Sequence, residues 1–263
     1  MNLRLLANVS LSAAAILIAA CAHSSHAVAE ASHASTAEAH WSYAGATGPE
    51  HWGALSPEYG PCATGKKQSP IDIGSAENAD LQNLVLHYAP TPVTIVDNGH
   101  TVQVDYAPGS WLEVDGVRYE LAQFHFHAPS EHTIAGRHAP AEMHLVHKSA
   151  TGALAVVGVL FQEGDHNIAF DPVLNNLPEQ PGKPLRLDAQ VDASDLLPAD
   201  QRTWRYEGSL TTPPGTEGVR WFLMVEPTRL SPAQIAAIAQ VCHGNNRPTQ
   251  PLNGRRVLRD STR

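Results

Sequence analysis

The sequence has 263 residues, and 43% of them are hydrophobic, which fits a globular protein and excludes a chain that is disordered throughout. Lys and Arg number 17 against 26 Asp and Glu, which gives a formal net charge of −9 with histidine neutral. Phosphate binding needs clustered Lys and Arg, so we expect no nucleic-acid partner. The chain has 3 Cys but 15 His, so imidazole outnumbers thiol among the side chains that bind metal ions such as zinc and copper.

Residues 1–20 predict an export signal. Arg4 precedes an apolar stretch over residues 11–20 that no acidic residue interrupts and that is short for a membrane span. The tetrapeptide that ends in Cys21 resembles the lipobox of bacterial lipoproteins, which predicts a lipidated Cys21 and membrane attachment. Ordinary cleavage near residues 25–27 is the alternative. In both cases we expect the protein in the periplasm or at the cell surface.

The segment 21–40 contains small and polar residues and almost no large apolar ones, so it cannot bury enough surface to fold. We interpret it as a flexible tether. A weak metal-collecting tail is the alternative, because it carries four histidines and imidazole suits zinc and copper. These histidines are His23, His26, His33 and His40. The amino-acid composition changes at Trp41 and then stays uniform, which predicts one domain over 41–263.

The domain is predicted to be mostly β. Turn signals such as Asn98-Gly99 and Asp115-Gly116 separate short runs that favour strands. One helix is indicated near the C-terminal end. Ser231 is its N-cap, Gln234 completes a capping box, and residues 235–241 continue it.

Two of these runs carry candidate metal ligands. In Gln123–His127, strand alternation places Gln123, His125 and His127 on one face. In the second run, Glu142, His144 and Val146 share a face. If both faces border one cleft, three imidazoles form a site with an open fourth position, as in catalytic zinc sites.

The neighbours of these histidines support that interpretation. A metal-bound imidazole needs a hydrogen-bond acceptor on its other nitrogen, which fixes the tautomer. Gln123 and Glu142 each stand two residues before a histidine, His125 and His144 respectively, on the same strand face.

The motifs QFHFH, PSEHT, AEMHLVH and SLTTPP together resemble the alpha-class carbonic anhydrases in their bacterial secreted form, from Trp41 to about Arg256. The resemblance implies a mainly β (α+β) domain with a large twisted, mostly antiparallel central sheet and short peripheral helices. It implies Zn²⁺ as cofactor and the reversible hydration of carbon dioxide to bicarbonate and a proton by zinc hydroxide. A homodimer is a further expectation, because related bacterial enzymes are often dimers.

The resemblance also implies roles for individual residues. His125, His127 and His144 match the zinc ligands. Glu131 accepts the hydroxyl proton of Thr211, which in turn orients the zinc-bound hydroxide. The remaining matches are Thr212 on the pocket floor, His100 as proton shuttle, Tyr43 in the water chain, and an apolar wall for carbon dioxide formed by Val146, Val156, Leu210, Val219 and Trp221.

The cysteines depart from the family pattern. Many secreted bacterial members have a disulfide between a cysteine near the start and one just after the TTPP run. Cys62 matches the first position, but Gly215 stands at the second. Two outcomes stay open for Cys62 and Cys242 in an oxidising compartment: a bridge between them, or two free buried thiols.

Two functions from other classes are alternatives. The run HFHAPSE also matches the cupin pattern HxHxxxE, in which Glu131 would join the metal and iron or manganese would support oxygen chemistry. The second cupin motif is not visible in the sequence. A non-catalytic carbonic anhydrase-like binding domain is the other alternative, although such proteins usually lose a zinc-ligand histidine.

Overall fold

A computed structural model describes residues 39–262. The predicted signal peptide, Cys21 and nearly all of the predicted tether lie outside this part of the chain, so those predictions stay predictions. The strands are β1 (Asp72–Ile73), β2 (Glu77–Ala79), β3 (Val85–His87), β4 (Thr91–Asp97), β5 (Val102–Asp105), β6 (Trp111–Val114), β7 (Val117–His127), β8 (Thr133–Ile134), β9 (Arg137–His138), β10 (Ala141–Ser149), β11 (Leu154–Glu163), β12 (Leu185–Val191), β13 (Thr203–Ser209), β14 (Glu217–Met224), β15 (Thr228–Leu230) and β16 (Leu258–Asp260). The α-helices are α1 (Trp52–Leu55), α2 (Pro61–Thr64), α3 (Asp171–Leu174) and α4 (Pro232–Cys242), and short 3₁₀ turns span Gly45–Thr47, Pro57–Tyr59, Ile168–Phe170 and Ala193–Leu196.

One large sheet dominates the fold. Its main path runs β12-β4-β5-β7-β10-β11-β14-β13-β16-β2, with β3, β6 and β15 paired to the side of that path. Most neighbours are antiparallel, and the parallel contacts in this sheet are β11 with β14, β11 with β15, and β16 with β2. A small second sheet contains β1, β8 and β9. The predicted mainly β single domain with a mostly antiparallel sheet and short helices is confirmed.

The turn chemistry explains one of the tight connections. Asp115-Gly116 joins β6 to β7, and Val114 pairs directly with Val117. Both turn residues have positive φ, at 53° and 71°. A two-residue hairpin of this hand matches the twist of the strands, and Asp-Gly adopts it at low cost.

The large sheet buries different side chains on its two faces. One face carries the main hydrophobic core, which includes Phe124 and Phe126 of β7 and Met143 and Leu145 of β10. The opposite face carries a smaller apolar cluster that includes Val156 and Trp221, together with the predicted histidines. Because strand residues alternate, the same two strands supply both the core and the site.

Helix α4 covers the core face and confirms the predicted capping box. The Ser231 side chain accepts from the Gln234 backbone N–H, and the Gln234 side chain accepts from the Ser231 N–H. Ile238 and Cys242 are buried in the main core. The helix ends at Cys242, the next residue His243 has φ of 51°, and the chain then turns back toward the end of β7. Among residues 39–262, the structure has no helix that is long and apolar enough to cross a membrane.

Candidate metal centre

Strand pairing brings the three predicted histidines together. His125 of β7 is the direct register partner of His144 of β10, and His127 is the partner of Glu142. Direct partners in an antiparallel pair project from the same face. One ring nitrogen of each histidine lies within 4.8 Å of one ring nitrogen of each of the others. The three imidazoles therefore offer three nitrogen ligands to one ion.

Each imidazole is held through its second nitrogen. His125 Nδ1 lies 2.9 Å from Gln123 Oε1, and His144 Nε2 lies 2.8 Å from Glu142 Oε1. His127 Nδ1 lies 2.8 Å from the backbone oxygen of Asn245. These oxygens are acceptors, so each of the three nitrogens carries the proton and the other ring nitrogen keeps its lone pair for a metal.

The residues present fit a zinc ion. Among the described residues, the buried His127 Nε2 has no hydrogen-bond partner, although it faces the other two histidines. A buried polar atom without a partner is costly unless a ligand compensates it. Three neutral imidazoles with a fourth position open are a donor set that zinc accepts. His132 with Glu142 and His144 forms a second close cluster, but hydrogen bonds within that cluster and to Tyr206 already occupy its atoms.

Burial favours the neutral form of two of the three rings. Burial, reinforced by the neighbouring imidazoles, lowers the pKa of His125 well below its ordinary value, and burial also lowers the pKa of His127. Burial opposes protonation of His144 as well, but the Glu142 carboxylate outweighs it and raises the pKa of that ring. Glu142 stays ionised, because His132 and His144 lower its pKa well below the usual range in spite of burial.

Glu131 lies beside the histidines and is fully buried. Its Oε2 is 3.6 Å from His127 Nε2, and its Oε1 accepts the backbone N–H of Arg247 at 2.9 Å. Within the described residues, Oε2 has no hydrogen-bond partner. The Thr211 hydroxyl therefore does not donate to it, and the Glu131–Thr211 hydrogen bond implied by the resemblance is not formed here.

The loop over residues 210–216, between β13 and β14, holds the predicted threonines. Thr211 is buried and Thr212 is half-buried. Hydrogen bonds inside the loop fix its shape: Leu210 N–H donates to Thr216 O, and Gly215 N–H donates to Thr212 O. Each threonine thus lies in a compact turn that follows directly from β13.

The predicted wall residues form one apolar row beside the histidine row. Val146 pairs with Val156, and Val156 pairs with Trp221, so the row crosses β10, β11 and β14. Val219 and Leu210 belong to the same cluster. The indole ring of Trp221 lies edge-on to His144, with ring centroids 4.8 Å apart. An apolar surface is therefore in direct contact with the metal-binding side chains.

His100 and Tyr43 lie in an aromatic group at the N-terminal side. The imidazole of His100 stacks on Trp41, with centroids 3.6 Å apart and planes 7° apart. Tyr43 contacts the same Trp41, and its centroid is 6.5 Å from that of His100. Burial and the charge of Glu131 raise the pKa of Tyr43 well above its ordinary value, so its hydroxyl stays protonated.

The proposed Cys62–Cys242 bridge is wrong for this structure. Both cysteines are free thiols. Cys242 points from the end of α4 into the core, where its Sγ donates to Phe126 O, whereas Cys62 is half-buried against Gly215. The pairing fails because the two side chains have been placed in different surroundings by α4 and α2. The rival expectation of two buried thiols holds only for Cys242.

Several contacts of the site were not foreseen from the sequence. Trp41 was recognised only as the start of the domain, yet it stacks on His100. Asn245 and Arg247 were not singled out, yet they bind His127 and Glu131. Tyr206 was also missed, and its hydroxyl holds His132 Nε2 at 2.7 Å. His132 and His147 are interior, hydrogen-bonded histidines.

Comparisons with known proteins agree with this geometry. The family model described as eukaryotic-type carbonic anhydrase matches residues 47–261. A carbonic anhydrase of Klebsiella pneumoniae is 46% identical over 222 residues, which cover 83% of this chain and 90% of that protein. A carbonic anhydrase of Nostoc sp. is also 46% identical, over 224 residues that cover 83% of this chain and 85% of that protein.

A solved structure of an alpha-carbonic anhydrase from Thermovibrio ammonificans, in complex with the inhibitor sulfanilamide, superposes with a TM-score of 0.82. It is 47% identical, and the match covers 84% of this chain and 100% of that one. These similarities exclude the cupin alternative and favour an enzyme over a non-catalytic binding domain. The chain belongs to the eukaryotic-type, or alpha, carbonic anhydrase family, and it is an enzyme of that family.

Proposed function

We propose that the enzyme reversibly hydrates carbon dioxide to bicarbonate and a proton, at a zinc ion held by His125, His127 and His144. The observation that carries the proposal is the unpartnered, buried His127 Nε2 beside two further ring nitrogens within 4.8 Å. A zinc ion held by three neutral imidazoles supplies the Lewis acidity that makes water a nucleophile near neutral pH.

The apolar row binds the substrate. Carbon dioxide is linear and uncharged, so it gains from contact with apolar side chains and from the exclusion of water. Val146, Val156 and Trp221 form a continuous surface that meets His144. Leu210 and Val219 extend the same surface. We assign this surface the task of holding carbon dioxide next to the metal-binding nitrogens.

Glu131 and Thr211 orient the attacking water. Glu131 is fixed through Oε1 by the Arg247 N–H, which leaves Oε2 as an acceptor. We propose that Thr211 turns its hydroxyl onto this oxygen in the loaded site. A hydroxyl that donates to Glu131 has only lone pairs left on its other side, so it accepts from the water and aims the lone pair of that water at the substrate. Thr212 lies next to it on the floor of the site.

His100 carries the released proton to solvent. An imidazole ionises close to neutral pH and so both accepts and gives up a proton there. His100 lies half-buried in the turn between β4 and β5, with Trp41 and Tyr43 as its ring neighbours. The Tyr43 phenol remains neutral and orders water between the site and His100.

The test is stopped-flow hydration of carbon dioxide by the purified, folded protein, before and after removal of the metal with a chelator. We expect fast hydration that is lost on chelation and restored by Zn²⁺. His144→Ala should lose both bound zinc and activity, whereas the exposed His51→Ala should keep both. A folded, zinc-loaded protein without hydration would refute the function, and full zinc stoichiometry in His144→Ala would refute the ligand assignment.

We propose further that the enzyme is exported to the periplasm or the cell surface, is attached to a membrane through a lipid on Cys21, and forms homodimers. The export-type segment 1–20 and the lipobox-like run before Cys21 support this location. Cys21→Ser should release the protein from the membrane fraction after cell breakage. Release of the unsubstituted protein into the soluble fraction would favour cleavage near residues 25–27 instead. Light scattering of the purified protein tests the dimer.

A further inference from the structure

We infer that the side chain of Asn245 is a positioning residue for proton transfer, because it ties the main chain of His100 to the strand that carries His127. The inference rests on the proposed function, in which His100 exports the proton. It assigns separate tasks to the two parts of Asn245. The backbone carbonyl serves the metal ligand, and the side-chain amide serves the shuttle.

The Asn245 side-chain amide makes three hydrogen bonds, which use both of its donors and its oxygen. Nδ2 donates to His100 O at 3.0 Å and to Phe126 O at 2.9 Å. Oδ1 accepts the N–H of Ala128 at 3.1 Å. The residue is 2% exposed, so water does not replace these bonds cheaply if the side chain is removed.

The backbone oxygen of Asn245 has a different partner. It accepts the proton of His127 Nδ1 at 2.8 Å and thereby fixes the ring that offers Nε2 to the metal. Every amino acid has this oxygen. A substitution of the Asn245 side chain therefore leaves the acceptor for His127 chemically intact while it deletes the contact to His100.

The turn that bears His100 has its own internal support. Asn98 Oδ1 accepts the N–H groups of His100 and Thr101, each at 3.0 Å. These bonds lie within the turn, so they set its shape but not its distance from β7. The Asn245 amide bridges the His100 carbonyl to Phe126 and Ala128, which flank His127 in the chain.

Placement matters because proton transfer through ordered water depends steeply on distance and orientation. A displacement of about 1 Å between reacting groups can reduce a rate by about 100-fold. Helix α4 helps to place Asn245. It ends at Cys242, and the positive φ of His243 and Gly244 then turns the chain so that Asn245 lies at the end of β7.

The decisive experiment compares Asn245→Ala and Asn245→Asp with Asn176→Ala in the full-length enzyme. Aspartate keeps an acceptor for Ala128 but removes both donors. Asn176→Ala is the matched control, because the Asn176 amide also donates to a backbone carbonyl, that of Pro172, and not to His100 O. Circular dichroism and zinc stoichiometry establish that each variant is folded and loaded.

We expect both Asn245 variants to lower kcat in weak buffer by about 3- to 10-fold, while kcat/KM for carbon dioxide stays within about twofold. Added imidazole should restore kcat, because a soluble base replaces the misplaced shuttle. In a His100→Ala background, Asn245→Ala should cause no further loss of kcat. Asn176→Ala should leave kcat unchanged.

A second measurement does not depend on activity. NMR relaxation of ¹³C-labelled histidine in the zinc-free protein reports the mobility of the His100 ring. Asn245→Ala should increase this mobility and Asn176→Ala should not.

Parallel loss of kcat, kcat/KM and zinc affinity would overturn the inference, since Asn245 would then act through the metal site. Unchanged kcat and unchanged mobility in folded Asn245 variants would overturn it as well, and so would an additive loss in the His100→Ala background. Failure of the proposed function is a separate result, because the unsubstituted enzyme would then show no hydration at all.

Discussion

A Cβ atom placed on Gly215 lies 2.6 Å from the Sγ of Cys62, which is closer than non-bonded atoms approach. The Cys62 side chain therefore already points at position 215. This is the position at which many secreted bacterial members of the family have the second cysteine of the bridge. Gly215→Cys should form a disulfide with Cys62 on oxidation. A disulfide that closes the long loop between Cys62 and position 215 stabilises the native state by about 4–5 kcal/mol. The positive φ of 70° at position 215 strains a cysteine there and lowers this gain by about 1–2 kcal/mol.

The measurement is thermal unfolding of the oxidised variant. We expect a rise in Tm of roughly 5–15 °C, since each kcal/mol shifts the Tm of a domain of this size by about 2–4 °C. A Cys62→Ser, Gly215→Cys double variant is the control and should be no more stable than the original protein. Free thiols in the oxidised single variant would contradict the prediction.

Ala135 carries avoidable backbone strain. It lies in the two-residue turn between β8 and β9 with φ of 50°, a left-handed conformation that disfavours alanine. Asparagine adopts this conformation more readily, and Asn-Gly is favoured in such hairpins. Ala135→Asn should raise the free energy of unfolding by about 0.5–1 kcal/mol, measured by urea titration.

Gly136 provides the matched test of that argument. Its φ is 75°, and a Cβ added there meets no atom within 4 Å. Gly136→Ala should therefore lower stability through the backbone alone, by about 1 kcal/mol. If both substitutions leave the urea midpoint unchanged, backbone strain in this turn does not affect the free energy of unfolding.

His147 makes stability depend on pH. It is fully buried opposite Tyr88, with its Nε2 2.9 Å from the Tyr88 hydroxyl, and burial lowers its pKa from 6.5 to about 3. The folded protein therefore holds the neutral ring, whereas the unfolded chain protonates it. The stabilisation is complete above about pH 6.5 and is lost as the pH falls toward 3.

His147→Gln tests this dependence, because an amide preserves a polar partner for Tyr88 but does not titrate. Between pH 6 and 4, stability of the original zinc-free protein should fall more steeply than that of the variant, by about 1.4 kcal/mol per pH unit. Chemical unfolding at a series of pH values gives both slopes. Equal slopes would show that His147 does not titrate on unfolding.

Glu142 should control zinc affinity without touching the ion. Its Oε1 accepts from both His132 Nδ1 at 2.7 Å and His144 Nε2 at 2.8 Å. Glu142→Gln removes the charge that supports His144 as a ligand, and we expect zinc affinity to fall by about 10- to 100-fold. Glu163→Gln, at an exposed position, is the control, and competition with a chromophoric chelator measures the zinc affinity of both variants. Equal affinities would show that the carboxylate is not needed to orient the ligand.

Strand alternation and turn chemistry made much of this protein predictable. The period of two placed His125 and His127 on one face of β7, and the capping box fixed the start of α4 at Ser231. Such signals depend on residues that are close in sequence, and they can therefore be recognised without a structure.

The contacts that sequence reasoning missed join distant parts of the chain. Asn245 and Arg247 reach His127 and Glu131 across separations of 118 and 116 residues. Their partners depend on how the loop after α4 packs against β7, and no local sequence pattern predicts this packing. The Cys62–Cys242 pairing failed for the same reason, because it was a matter of tertiary placement.

The alternation along β7 and β10 has a consequence for how the metal site comes into existence. His125 and His144 are neighbours only when the two strands pair in this register, and the same pairing brings Phe124 beside Leu145 on the core face. A slip by one residue would send imidazoles into the core and phenyl rings into the cleft. The three-histidine site is thus assembled by the same event that assembles the core. Uptake of zinc during refolding will report when these central strands have found their partners.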